Sequence, residues 1–253
     1  MIMVDSFLLS IITVVYNNNV TISRCLNSVL KGKPDWMEYI LIDGESTDGT
    51  IDIIRKHELF DKINIFVSER DNGIYSAMNK GVRMSRGHYI LFLNSDDELV
   101  ANLNQNFEQR LRFYLAEAKE LLFGGIIYSY GSGSTIDKSH DFYEFDKRFS
   151  KNIFLHPGSI SSRNLCLRVP FNEELRISSD YLFFLEALSF KVDFALLENF
   201  ILIRMYEGGI SSSPKLTIRF LAVLEIFFVQ RRYSLVHASV VLLKSMFKIF
   251  CRL

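Results

Sequence analysis

Four short apolar runs, separated by stretches of helical periodicity, constrain the fold of this chain more than any other feature. Residues 8–15, 39–42, 63–67 and 89–93 are mainly aliphatic, β-branched or aromatic. A strand covered on both faces needs such a run, because neither of its sides meets water. Between the first two runs, Ile22, Cys25, Leu26, Val29 and Leu30 recur at helical spacing, and the pattern stops at Gly32 and Pro34. Residues 50–57 form a second predicted helix with Ile51 and Ile54 inward. Ala77, Met78 and Val82 mark a third, which stops at Gly87. This β-α-β-α-β-α-β order predicts right-handed crossovers, a mostly parallel sheet and an α/β fold flanked by helices.

The rest of the chain is less periodic. Residues 102–119 are expected to form a helix, 121–130 a strand, 179–189 a helix and 192–205 one or two strands. Residues 131–151 are rich in Gly, Ser and Asp and are expected to form an irregular segment over the site. The 253 residues, 49% of them hydrophobic, suffice for one large domain with an appendage. Lys plus Arg and Asp plus Glu both number 29, which argues against bulk electrostatic binding to nucleic acid. Cys25, Cys166 and Cys251 lie far apart and form neither a disulfide framework nor a metal spacing. No run of about 20 apolar residues is present, so no spanning helix is expected. Residues 7–15 lack the basic flank of a signal peptide.

Residues 90–93 end abruptly at Asn94-Ser95-Asp96-Asp97-Glu98. Adjacent carboxylates repel, and burying them costs more still. Taken alone, the stretch is either an acidic surface turn or the seat of a divalent cation at the mouth of a sheet. Parallel sheets gather ligands beyond the carboxyl ends of their strands. Asn17, Asp43 and Asp97 all fall at such ends, which favours the second reading.

The segments "SIITVVYNNN", "LIDGESTDGT", "SERDNGIYSAMNKG", "YILFLNSDDE" and "ISSDYLFFLEAL" resemble, in order and spacing, the family 2 glycosyltransferases with the GT-A fold. The stretch "DNGIYSAMNKG…GHYILFLNSDD" is similar to a bacterial sub-branch that builds colanic-acid-type capsules and O-antigens. The resemblance implies a metal-dependent, inverting, hexosyltransferase-type enzyme. It implies a nucleoside-diphosphate-sugar donor, a lipid-linked oligosaccharide acceptor and Mn2+ or Mg2+ as cofactor. Asp97 would hold the metal and Asp96 the ribose. The donor set would comprise Thr13, Tyr16, Asn17, Asp43, Glu45, Arg70, Asn79, Asn94 and Asp96. Many relatives carry a second acid after the one matched by Asp43, where this chain has Gly44. Asp180 matches the general base; its usual Glu neighbour is Ser179 here. Taken alone, Asp180 is equally a helix cap. His156, in "HPGSIS", and Gly208 and Gly209, in "YEGGISSS", match positions on the acceptor or diphosphate side. Asp71 and Asn72 are expected to cap the helix that "DNGIYSAMNKG" opens after the third strand, whose free N–H groups could face phosphate.

The implied organisation is a catalytic domain over residues 1–213, with a nucleotide-sugar half (1–100) and an acceptor half (101–213). A helical tail follows over residues 214–253. Lys244, Lys248 and Arg252 recur every four residues, a drift of only about 40° per step around a helix. A basic stripe beside Val240, Val241, Leu243, Phe247 and Phe250 suits a helix lying in a membrane interface. It suits equally a helix packed on the domain with a solvated Lys face. The first places the protein in the cytoplasm, peripheral on the inner face of the bacterial cytoplasmic membrane. Two other functions compete with this reading. A nucleotidyltransferase on a similar sheet would follow its first strand with a Gly-rich basic loop, where this chain has Tyr16-Asn17-Asn18-Asn19. A catalytically inactive GT-A-like binding or scaffold module is the alternative.

Overall fold

The computed structural model describes residues 7–129, 135–138, 156–206 and 216–232. Nine strands form one mixed sheet among them. The first four are β1 (Leu9–Val15), β2 (Met37–Asp43), β3 (Ile65–Ser68) and β4 (Tyr89–Phe92). They are parallel and lie in the order β3-β2-β1-β4. The chain therefore leaves β1 toward β2 and β3, then returns to place β4 on the other side. That reversal opens a crevice beyond the carboxyl ends of β1 and β4, the usual ligand position in such sheets.

Alternation along each strand builds two apolar layers. On one face Leu9, Ile11, Tyr39, Leu41 and Leu91 pack with Cys25, Leu26 and Val29 of α1 (Ile22–Leu30) and Ile54 of α2 (Thr50–Arg55). On the other, Ile12, Val14, Ile40, Ile42 and Ile90 meet Ala77, Met78 and Val82 of α3 (Ile74–Met84). Gly81 is small because α3 lies close on β1: a Cβ there would stand 2.6 Å from Ile12 Cγ2. The predicted order of these elements holds, with ends shifted by a few residues.

The second half is less regular. β5 (Glu98–Leu99) and α4 (Gln105–Ala116) lead into β6 (Leu121–Ser129). β7 (Thr135–Lys138) pairs antiparallel with β6, so residues 131–151 are not irregular throughout; residues 139–151 lie outside the described residues. β8 (Ser159–Ser162) is antiparallel to both β4 and β6 and joins the two halves of the sheet. It and α5 (Arg163–Arg168) escape sequence reading, because Ser159-Ile160-Ser161-Ser162 holds one apolar residue and buries its serines instead. α6 (Ser179–Ser189) matches expectation. Residues 192–205 give one strand, β9 (Phe194–Tyr206), parallel to β6 and antiparallel to β5. The last helix among the described residues, α7 (Leu216–Gln230), buries Val229 against Leu182 and Leu185 of α6.

A buried carboxylate ties β2 to its neighbours. Glu38 accepts hydrogen bonds from Ser10 Oγ at 2.6 Å and Gly87 N at 3.1 Å, and pairs with Arg86 Nε at 3.2 Å. Gly87 lies where the turn after α3 crosses β1, and a Cβ there would stand 2.6 Å from Ser10 N and 2.8 Å from Leu9 C. Backbone on both sides cannot yield cheaply. Gly87→Ala should therefore destabilise the fold by about 1–3 kcal/mol, the usual cost of overpacking, in urea denaturation. A midpoint equal to wild type would show that the crossing is loose.

Candidate functional site

The crevice beyond β1 and β4 is lined first by the ends of β1 and β2. Tyr16, 64% exposed, follows β1 directly. Asn17 adopts a left-handed conformation (φ 49°), which Asn tolerates better than most residues. Its N–H donates to Ser46 Oγ at 2.8 Å and its Oδ1 accepts from Thr47 N at 2.8 Å. Glu45, also left-handed (φ 66°), is exposed at the rim. Asp43 is buried, with Oδ1 accepting from Ser46 Oγ at 2.5 Å and Oδ2 from Ser68 Oγ at 2.7 Å. Asn18 bridges to the acidic strand end, its Nδ2 donating to Ser95 Oγ at 2.8 Å.

Gly44 stands between two side chains. A Cβ there would lie 2.8 Å from Asp71 Oδ2 and 3.4 Å from Tyr16 Cδ2. The carboxylate of Asp71 thus fills the space that a side chain at position 44 would need. Asp71 Oδ1 accepts from Gly73 N at 2.8 Å, and the cap position of α3 is Gly73. Neither Asp71 nor Asn72 caps this helix, contrary to expectation, and no side-chain cap bond is made at its start.

The acidic cluster is held by three elements. Asp97 is only 2% exposed. Its Oδ2 accepts from Asn94 Nδ2 at 3.1 Å and its Oδ1 from the backbone N–H of Tyr206, at the end of β9, at 3.2 Å. Burial and the neighbouring Asp96 carboxylate push the Asp97 carboxyl up to about 7. Burial also raises Asp96, which is half-buried. Arg24 of α1 donates to the Asp96 carbonyl at 2.6 Å and lies over the Tyr206 ring at 3.8 Å. Tyr206 in turn donates its hydroxyl to Glu98 at 2.7 Å. Arg24 carries no motif in the sequence, and Tyr206 only opens the "YEGGISSS" stretch; the fold brings them together here.

These acids fit a divalent cation. Two adjacent carboxylates whose ionised form is disfavoured by burial and by each other gain from a positive charge placed against them. Each Asp97 oxygen keeps a lone pair beyond its one hydrogen bond. Among the described residues no group of three or more His, Cys, Asp or Glu converges. One or two carboxylates with substrate phosphates are the usual surroundings of Mg2+.

Asp180 lies in the first turn of α6, where Oδ1 accepts from Tyr181 N at 2.8 Å and from the Tyr75 hydroxyl at 3.4 Å. Burial raises its pKa, which the nearby His156 opposes. His156 is itself buried. It stacks on Phe92 of β4 with centroids 5.2 Å apart and meets Phe171 edge-on. Burial lowers its pKa. These contacts bring the end of β4, the start of α3 and the start of α6 to one end of the sheet.

Other expected contacts fall elsewhere. Thr13 is fully buried, its hydroxyl 4.0 Å from Cys25 Sγ, so its side chain faces the core and not the crevice. Asn79 is buried and committed to residues 171–173: Oδ1 accepts from Phe171 N at 2.9 Å, and Nδ2 donates to Phe171 O at 2.8 Å and Glu173 at 2.9 Å. Both of its N–H groups are thereby engaged within the protein. His156 likewise sits in an aromatic cluster with Phe92, Phe171 and Phe184. Arg70 is exposed beyond β3. Gly208 and Gly209 lie outside the described residues.

Residues 10–171 match the family described as Glycosyl transferase family 2. A Bacillus subtilis (strain 168) protein named as a teichuronic acid biosynthesis glycosyltransferase, TuaG, is 34% identical over 133 residues, 52% of this chain and 51% of TuaG. The chain thus spans about half the length of that relative. A PGL/p-HBAD biosynthesis glycosyltransferase of Mycobacterium bovis is 29% identical over 185 residues, 71% of this chain and 69% of the relative. Among solved structures, a mannosyltransferase from Pyrobaculum calidifontis in complex with GDP-Man and Mn2+ superposes with a TM-score of 0.67. It is 16% identical, and the match covers 94% of this chain and 70% of that one. S. aureus TarS 1-349 in complex with UDP-GlcNAc superposes with a TM-score of 0.60 at 21% identity, covering 94% and 71%. By its matched residues and by its sheet, the chain belongs to glycosyl transferase family 2 and has the GT-A fold.

Proposed function

We propose that this protein is a metal-dependent, inverting glycosyltransferase of cell-surface polysaccharide synthesis. It transfers a sugar from a nucleoside diphosphate to a hydroxyl of a lipid-linked glycan of the O-antigen or capsule type. The observation that carries this reading is the placement of two acid sites at one end of the sheet: Asp96 and Asp97 beyond β4, and Asp180 at the start of α6. The names of the relatives, in teichuronic acid and PGL/p-HBAD biosynthesis, fit a surface glycan.

Asp97, with Asp96 beside it, would hold the cation. A bound divalent cation supplies charge neutralisation on the departing diphosphate. Tyr16 and Asp71 border the space for the nucleoside. Asp180 takes the proton of the acceptor hydroxyl as it attacks the anomeric carbon from the face opposite the diphosphate, which inverts that centre. Burial favours this role, because a carboxylate raised toward neutral pH is a stronger base than a solvated one. Tyr75 and Tyr181 N hold the carboxylate in place.

Asp97→Asn should keep the fold, since an amide still accepts from Tyr206 N, and should abolish cation-dependent donor binding. In thermal-shift assays, nucleoside diphosphate with Mn2+ at a hundredfold excess over Kd should stabilise wild type by about 2.7 kcal/mol and the variant not at all. Equal stabilisation would remove Asp97 from the metal site. No transfer by a wild-type protein that binds donor would favour an inactive binding module instead.

Asp180→Asn should leave donor binding near wild type and lower transfer by roughly 10²-fold or more, the scale of a lost general base. Undiminished single-turnover transfer would place the base elsewhere.

The tail reading belongs with a lipid-linked acceptor. Among the described residues no helix is long and apolar enough to cross a membrane, and Lys244, Lys248 and Arg252 lie outside those residues. A basic stripe next to apolar positions would hold the protein at an anionic surface, each cation contributing about 1 kcal/mol. The full chain should sediment with phosphatidylserine-containing vesicles at physiological salt. The triple variant Lys244→Glu, Lys248→Glu, Arg252→Glu should stay in solution, and equal sedimentation would refute the anchor.

A further inference from the structure

The helix that carries Asp180 lacks a side-chain cap of its own. Its cap residue is Ser178, which makes no such bond. The backbone N–H groups just before it are taken up from a distant part of the chain. Glu225 of α7 is only 6% exposed and directs its carboxylate at three successive residues. Oε1 accepts from Arg176 N at 2.8 Å, and Oε2 accepts from Ile177 N and Ser178 N, both at 2.9 Å. Such bonds to an ionised acceptor are roughly twice as strong as neutral ones.

The same two helices meet again one turn further on. Gln230 Nε2 donates to the Tyr181 hydroxyl at 2.9 Å, and Val229 packs on Leu182 and Leu185. Burial, then Asp180 and to a lesser extent Glu225, raise the pKa of Tyr75. α7 therefore meets α6 both just before its first turn, through Glu225, and beside the base, through Gln230 on Tyr181.

We infer that Glu225 is a positioning residue for Asp180: by clamping residues 176–178 it sets where α6 begins, and hence where the base carboxylate lies. The inference rests on Asp180 being the base. It extends the catalytic unit beyond residue 213 into α7, so the helix following the catalytic sheet is part of the machinery. Donor binding, which uses the ends of β1, β2 and β4, does not touch this clamp.

Glu225→Gln keeps the volume but replaces one acceptor oxygen by a donor that faces backbone N–H groups. At a temperature where the variant is fully folded by circular dichroism, calorimetry should give wild-type affinity for nucleoside diphosphate with Mn2+. The donor KM should also be unchanged, while kcat falls by roughly ten- to a hundredfold, the scale of a misplaced reacting group. Adding Glu225→Gln to Asp180→Asn should lower transfer no further, because residues that act as a unit are not additive. Glu225→Asp, which keeps the charge but withdraws it by one methylene, should show an intermediate kcat. It carries the same comparison if Glu225→Gln does not fold. A folded variant with wild-type kcat overturns the inference. So do losses that multiply in the double variant, or a donor affinity that falls in step with kcat, since either marks a general structural role. Wild-type transfer by Asp180→Asn alone would overturn the base assignment and the clamp with it, and that single variant identifies which has failed.

Discussion

Two neighbouring carboxylates at the end of a buried strand are the constraint around which this structure is arranged. Left alone, Asp96 and Asp97 would repel and draw water into the sheet. Three separate elements prevent this. The Asn94 amide and the Tyr206 backbone N–H each satisfy one oxygen of Asp97, and Arg24 places a cation beside the Asp96 carbonyl. α1 and β9 must both dock correctly before the pair is tolerable. The last long strand of the sheet thereby closes the site that the first helix opens. What remains after these contacts is an acid pushed up to about 7, a residual instability that a cation would remove.

The first hundred residues were largely legible in the sequence because burial on both faces leaves a plain trace. A strand between two helical layers has to be apolar throughout, and its neighbours have to repeat every three or four residues. The second half obeys different rules. β8 is a four-residue bridge between two strands, with three serines, and its pairing partners rather than its composition make it a strand. β9 runs beside β6 with a shift in register and a left-handed Asn199 (φ 65°), neither of which leaves a periodic signal.

The candidate site divides in the same way. Asp97 and Asp180 sit where strand ends and helix starts are expected, and the structure places them at one end of the sheet. Thr13, Asn79 and His156 are buried among protein partners. A hydroxyl, an amide or an imidazole in a motif serves packing as readily as a ligand, and only its partners tell which. Asn79 spends all of its amide on residues 171–173. The converse holds for Arg24, Tyr206 and Glu225. Each acts through a contact between residues far apart in the chain, and a single acid in an otherwise apolar helix gives no hint of the turn it holds.

Gly44 and Asp71 share one volume. With Asp71 Oδ2 2.8 Å from the place of a Cβ at position 44, the two residues belong to a single steric unit drawn from different loops. A side chain can grow at 44 only if the carboxylate at 71 turns aside. Exchanging the loop after β2 between members of the family would carry half of this unit and leave its complement behind. A loop exchange on this scaffold preserves that contact only when both loops move at once.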